Sequence, residues 1–216
     1  MFSTALKLFT HTLASSENRV STVINSGLMA LVDQDLIEAT SQTVSDALDA
    51  GERVWLTSDL HFLHTNIIKY CDRPFFDVGS MTDALIATLQ KVPDDELIIF
   101  VGDMAMGCHQ KTVELIRLLP GRKILIAGNH DIASDGECKL ANEKNLFEVV
   151  VPFLAWQGYQ RRLVVVSHYP IIVPETYKNT PVLNYHGHLH EKTLPLQLMI
   201  KYMNVGWDIN QSLNCL

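Results

Sequence analysis

Residues 96–103 read Glu-Leu-Ile-Ile-Phe-Val-Gly-Asp, five apolar positions in a row closed by a glycine and a carboxylate. A short run without polar alternation is better as a strand buried on both faces, since a half-exposed strand would alternate with period two. The same grammar recurs in RVWLTSD at 53–59, KILIAGNHD at 123–131, RLVVVSHYP at 162–170, PVLNYHGHLH at 181–190 and MIKYMNVGWD at 199–208. Helices are predicted between these runs at about Thr82 to Lys91, Lys111 to Leu119 and Glu137 to Asn145. The result is an α/β domain over residues 51–216, with the last residues, NQSLNCL, read as a tail.

Each run ends in groups that can do chemistry. Asp59 and His61, Asp103, then Asn129, His130 and Asp131, then His168, and last His188 and His190 all fall just past a predicted strand. In layered α/β folds such ends converge on one edge of the sheet, where sites are built. The set holds carboxylates, imidazoles and one carboxamide but no thiolate, a donor mixture suited to Mn(II), Fe(II), Zn(II) or Ni(II). Taken singly the clusters are weaker. D-x-H fits any strand face, G-D fits a helix cap, and G-N-H-D is half explained by turn residues. His186 lies inside its strand and is assigned to the core or to supporting a ligand.

Composition sets the outer limits. The 216 residues are 47% hydrophobic and 19% charged with a net charge of -7, the balance of a folded globular chain. Its 17 basic residues are scattered, so extended nucleic acid is not an expected partner. The four cysteines stand far apart, with no C-x-x-C pair to hold zinc or seed a disulfide framework. No signal peptide and no apolar run of about 18 residues is read, so the expectation is a cytoplasmic protein with no membrane partner.

Residues 1–50 form a separate helical segment in this reading. Val20, Ile24, Leu28 and Leu31 recur at helical spacing behind Ser15, Ser16 or Asn18 as caps, and a second helix over Asp35 to Ala50 carries Ile37, Val44 and Leu48. The apolar stripe must be covered by the chain's own sheets or by a second subunit, and a homo-oligomer through these helices is the expected answer.

Taken in order, Asp59-Leu60-His61, Gly102-Asp103, Gly128-Asn129-His130-Asp131, His168 and Gly187-His188-Leu189-His190 resemble the calcineurin-like metallophosphoesterase superfamily. The resemblance runs from about Val54 to Asp208, and SDLHFLHTNIIKYCDRPF with the late NVGWD is similar to a group of small bacterial and phage phosphoesterases. It implies a four-layer α-β-β-α sandwich of two mixed sheets, here with an N-terminal helical extension. Two divalent ions, Mn2+ foremost, are implied as cofactors. Asp59, His61, Asp103 and His190 would hold the first, and Asp103, Asn129, His168 and His188 the second, with Asp103 bridging. His130 would act as general acid, oriented by Asp131.

The protein phosphatases of this superfamily carry an arginine in the loop after the bridging Asp, and this chain has Met104-Ala105-Met106-Gly107. A small phosphate ester is therefore the implied substrate, diester ahead of monoester. A nucleotide pyrophosphohydrolase, or a non-catalytic scaffold on the same fold, is the alternative. His64 and Asn66 are candidate substrate contacts and Arg73 a candidate phosphate clamp. Against this, Asn66 also fits the cap of a helix starting at Ile67, and Arg73 fits a solvated turn.

Overall fold

The computed structural model describes residues 1–15 and 22–216. Two mixed sheets form the sandwich. The first has the order β4-β3-β2-β1-β9, built from β1 (Val54–Thr57), β2 (Leu97–Phe100), β3 (Arg122–Ile126), β4 (Val149–Val151) and β9 (Asn214–Cys215). The second has the order β5-β6-β7-β8, from β5 (Phe153–Gln157), β6 (Leu163–Ser167), β7 (Val182–His186) and β8 (Ile200–Asn204). Strands β1 to β4 are parallel, as are β6 to β8, while β9 and β5 run antiparallel to their neighbours. Every residue of β2 and of β6 is buried, as their unbroken apolar runs require.

Helices α5 (Val78–Leu89) and α6 (His109–Arg117) lie where the spacing predicts them, each starting a few residues early. Asp77 and Ser80 form a reciprocal capping box that sets the start of α5. The helix expected over Glu137 to Asn145 is instead a 3-10 turn, Lys139–Asn142. Leu140 is buried there without apolar partners one helical turn away, so nothing drives a longer helix. Two short helices, α4 (Ile67–Tyr70) and α7 (Trp207–Asn210), complete the domain. The C-terminal tail is also corrected: Asn214 and Cys215 pair with Leu56 and Trp55 and close one edge of the first sheet.

Three N-terminal helices share the core: α1 (Phe2–Ala14), α2 (Thr22–Ala30) and α3 (Gln34–Asp49). Ala5, Leu8, Phe9, Leu28, Ile37 and Val44 belong to the same buried cluster as the strands. Phe9 packs on Phe153 with ring centroids 4.9 Å apart. Thr12 Oγ1 accepts a hydrogen bond from the Ile172 N–H at 2.8 Å, and Ser41 Oγ accepts one from the Ala155 N–H at 3.0 Å. The second bond matters because β5 is an edge strand, and α3 takes up a backbone donor it would otherwise leave open. Leu28 is buried within this one chain and Ile24 and Leu31 pack against the core. Val20, Ser16 and Asn18 lie outside the described residues. No described helix is long and apolar enough to cross a membrane.

Candidate metal centre

Because β1, β2 and β3 are parallel, and β6 and β7 likewise, their C-terminal ends deliver the polar clusters to one edge of the sandwich. Asp59 and Asp103 are 0% and 2% exposed, and among the described residues neither carboxylate has a Lys or Arg partner. Asp103 divides its oxygens. Oδ1 accepts the His130 backbone N–H at 2.9 Å, while Oδ2 faces inward, 3.4 Å from His168 Nε2 and 3.7 Å from His61 Nε2. Asp59 accepts the His188 N–H through both oxygens.

The imidazoles present lone pairs to this pair of carboxylates. His61 is buried with neither ring nitrogen hydrogen-bonded, and burial pushes it down to about 3, so it is neutral and free to ligate. Burial, with the nearby His168, does the same to His188, also about 3. His168 sits with Nδ1 2.8 Å from the Val101 carbonyl, which fixes the proton there and turns Nε2 toward Asp103 and toward Asn129 Oδ1 at 3.1 Å. His188 Nδ1 is 3.1 Å from the same Asn129 oxygen.

Acceptors therefore meet acceptors at the centre. With only protons to resolve this, burial opposes a charge on His168 but Asp103 prevails and pushes it up to about 10. Burial likewise works against charge on Asp103, and His168, its hydrogen bond and His61 outweigh it, holding the carboxyl well below the usual range. A cation between these donors would satisfy all of them. The residues fit the divalent ions the sequence implies, in two overlapping groups: Asp59, His61 and His190, and Asp59, Asp103 and His168.

The backbone is bent to achieve this. Asp59, His61, Asp103, His188 and His190 all adopt left-handed φ, from 51° to 67°, at a cost of about 1–3 kcal/mol each. Gly102 precedes Asp103 at φ +89°, and a Cβ there would stand 2.4 Å from His168 Nδ1. Only glycine meets both demands.

Two of the expected roles are corrected. The Asp131 carboxylate is taken up by backbone N–H groups and not by the His130 ring. The residue is buried, and its carboxylate accepts the N–H groups of Asp103 (2.9 Å), Gly128 (2.8 Å) and Met104 (3.1 Å), tying the β2 and β3 loops together. Arg73 is not available to a phosphate. It is 5% exposed, and Asp208, the Leu60 and Asp59 carbonyls and Met81 Sδ take up its guanidinium.

His64 and Asn66 do line the cleft that opens on the site, about 760 Å³, together with His61, His130, His188 and His190. Asn66 occupies the N-cap position of α4, but its side chain makes no cap bond. His186 is in the core, 2.9 Å from the Gly187 carbonyl through Nδ1. Sequence reading gave no role to Asp208, whose Oδ2 accepts from His190 Nδ1 at 2.7 Å, nor to Lys192 and Tyr70, which line the cleft. The one signal for Asp208 was its place at the end of MIKYMNVGWD. Cys71 Sγ lies near His190 and Asp208, but burial and the Asp208 charge push its thiol up to about 12.

Comparison with known proteins agrees with this architecture. An uncharacterized protein of Methanocaldococcus jannaschii is 43% identical over 82 residues, 37% of this chain and 47% of its own length, so the match spans about half of that relative. The gene 66 protein of Mycobacterium phage D29 is 25% identical over 163 residues, 65% of this chain and 80% of the phage protein. A solved protein of unknown function from Aquifex aeolicus, 23% identical, shares the fold with a TM-score of 0.56 over 76% of this chain and 95% of its own. The calcineurin-like phosphoesterase profile matches residues 52–211, from just before β1 to just after α7, and so takes in every one of the polar clusters at the strand ends. This chain is a member of the calcineurin-like phosphoesterase family.

Proposed function

We propose that the protein hydrolyses a small phosphate ester at a centre of two divalent ions, with phosphodiesters ahead of monoesters, in the cytoplasm. The observation that supports this best is Asp103 Oδ2, a buried anionic oxygen 3.7 Å from His61 Nε2 on one side and 3.4 Å from His168 Nε2 on the other. Asp59, His61, Asp103 and His190 would hold one ion, and Asp103, Asn129, His168 and His188 the other. Mn2+ suits this mixture of imidazole, carboxylate and carboxamide, with Fe2+, Zn2+ and Ni2+ as substitutes. Bound there, such ions supply Lewis acidity to a phosphoryl oxygen and lower the pKa of a water.

The chain's own residues do the rest. His130 has 36% of its side chain exposed, lines the cleft and keeps Nε2 4.0 Å from Asp103 Oδ2, within reach of a leaving oxygen that needs a proton. Among the described residues the cleft offers one ammonium, Lys192, and no guanidinium, since Arg73 is spent elsewhere. Beyond the two proposed ions the lining adds little net positive charge, since it holds Glu191 as well as Lys192, which suits a singly charged diester better than a dianionic monoester. His64, Asn66 and Tyr70 form the wall available to the remainder of the substrate.

The test is hydrolysis of bis-p-nitrophenyl phosphate and p-nitrophenyl phosphate by metal-stripped protein, with Mn2+, Ni2+ or Mg2+ added back. Turnover restored by metal, faster on the diester, is expected. No turnover of either ester, nor of a panel of nucleotides, under any metal would overturn the reading.

A further inference from the structure

Arg73 and Asp208 are 135 residues apart in sequence and form a bidentate pair, Nε to Oδ1 at 2.6 Å and Nη2 to Oδ2 at 3.0 Å, with both side chains almost fully buried. A buried ion pair is weak evidence for stability, because desolvation offsets most of its attraction, so its use must be sought in what it holds. On one side, Arg73 Nη2 donates to the Asp59 carbonyl at 2.6 Å and Nη1 to the Leu60 carbonyl at 2.8 Å. These two peptides lie between Asp59 and His61, in the stretch where both residues have left-handed φ. On the other side, Asp208 Oδ2 accepts from His190 Nδ1 at 2.7 Å, which leaves Nε2 as the ring nitrogen that would meet an ion.

The guanidinium thus reaches Asp59 directly, His61 through the Leu60 peptide and His190 through Asp208; it bonds none of Asn129, His168 and His188, and its link to that second set runs through the Asp59 carboxylate, which accepts the His188 N–H. We infer that Arg73 is a positioning residue for the first metal site above the second, acting on Asp59 and His61 through their backbone and on His190 through Asp208. The inference rests on the two-ion reading above. Arginine is required by geometry: the pair uses a planar fork for the carboxylate while two further N–H groups reach carbonyls, and an ammonium cannot span that distance.

The test titrates Mn2+ into metal-free wild-type, Arg73→Lys and Asp208→Asn proteins, reading stoichiometry and affinity by calorimetry and by the signal of free Mn2+. Circular dichroism checks the fold. Two ions should bind the wild type. In each variant one of the two should weaken by about 10- to 100-fold while the other keeps its affinity. At saturating Mn2+, the KM of Arg73→Lys for bis-p-nitrophenyl phosphate should stay within about twofold of wild type.

Equal weakening of both ions would reduce Arg73 to general support for the fold, and unchanged affinity for both would remove it from the metal site; either overturns the inference. A rise in KM with both ions in place would return Arg73 to substrate binding and overturn it too. Wild-type protein that takes up fewer than two ions would overturn the two-ion reading and this inference together, and is told apart by the wild-type titration alone. Should a variant not fold, the unmutated protein still decides: loaded with Zn2+, its His190 should carry its proton on Nδ1 by nitrogen NMR, and a bare Nδ1 would overturn the link to Asp208.

Discussion

Asp103 Oδ2 lies 3.4 Å from Nε2 of His168, and both groups are buried. Replacing Asp103 with Asn keeps the volume and the Oδ1 bond to the His130 N–H but removes the one charge common to the two proposed ions. Loss of at least one ion and of about 100-fold or more in turnover is expected, with the fold retained because the residue follows β2 rather than lying within it. Elemental analysis decides it. Two ions per chain with near-normal turnover would show that Asp103 does not bridge.

The same pair sets an alkaline limit on the metal-free protein. His168 is pushed up to about 10 by Asp103 against the opposing effect of burial, well above the ordinary histidine value of about 6.5. A group whose folded pKa is raised contributes stability that is complete below the unfolded value and lost as pH rises through the folded one. Metal-free protein should therefore lose stability steadily between about pH 6.5 and 10. Mn2+ replaces the proton and should flatten that slope. Urea midpoints at pH 6.5, 8 and 9.5, with and without chelator, check this, and a flat profile in chelator would contradict it.

His130 and Asp131 are neighbours in sequence in different surroundings, the first lining the cleft and the second buried. A general acid contributes about 10² to 10⁴ in rate, but only where the leaving oxygen needs a proton. His130→Ala should therefore slow an alkyl phosphate ester far more than its p-nitrophenyl counterpart, with both ions retained. Asp131→Asn should not copy it. An amide oxygen cannot accept all three backbone N–H groups now bonded to Asp131, and an unmet buried donor costs about 1–3 kcal/mol. Asp131→Asn should lower the melting temperature and slow both esters alike. A leaving-group-dependent loss in Asp131→Asn would restore it as the orienter of His130.

Deleting residues 1–49 should expose Phe153 and the free Ala155 N–H on the β5 edge. An uncovered edge strand pairs with other chains, so the truncated protein should melt at lower temperature and aggregate. Light scattering and thermal denaturation follow both. If deletion instead turned a discrete dimer into a stable monomer, the helices would serve a second copy of the chain.

The strands that carry ligands were legible because burial on both faces writes an unbroken apolar run, and each run ended at its own polar cluster. The elements that escaped have no such mark. Strands β4 and β5 are split by Pro152 and belong to different sheets, so EVVVPFLAWQ reads as neither one strand nor two. In helix α1 threonine and histidine interrupt the apolar positions and blur their periodicity. Strand β9 is two residues long and gains its meaning from the open edge of β1. Among side chains, ligands announce themselves by type and order, whereas Arg73 and Asp208 are defined by each other across 135 residues. Asp131, beside a candidate acid in sequence, bonds instead to the N–H groups of Asp103, Gly128 and Met104.

The left-handed ligand positions bear on how this centre can change its metal. All four residues assigned to the first ion, Asp59, His61, Asp103 and His190, have positive φ, while of the second set only Asp103 and His188 do. Asp, Asn and His tolerate that region better than most residues, and β-branched or bulky side chains tolerate it poorly. Swapping donors at the first site would thus have to satisfy the backbone as well as the ion. At Asn129 and His168 the chain is in ordinary conformation, and substitution there meets only the demands of coordination. Variation in metal preference among relatives should accordingly accumulate at the second site, with the first inherited nearly intact.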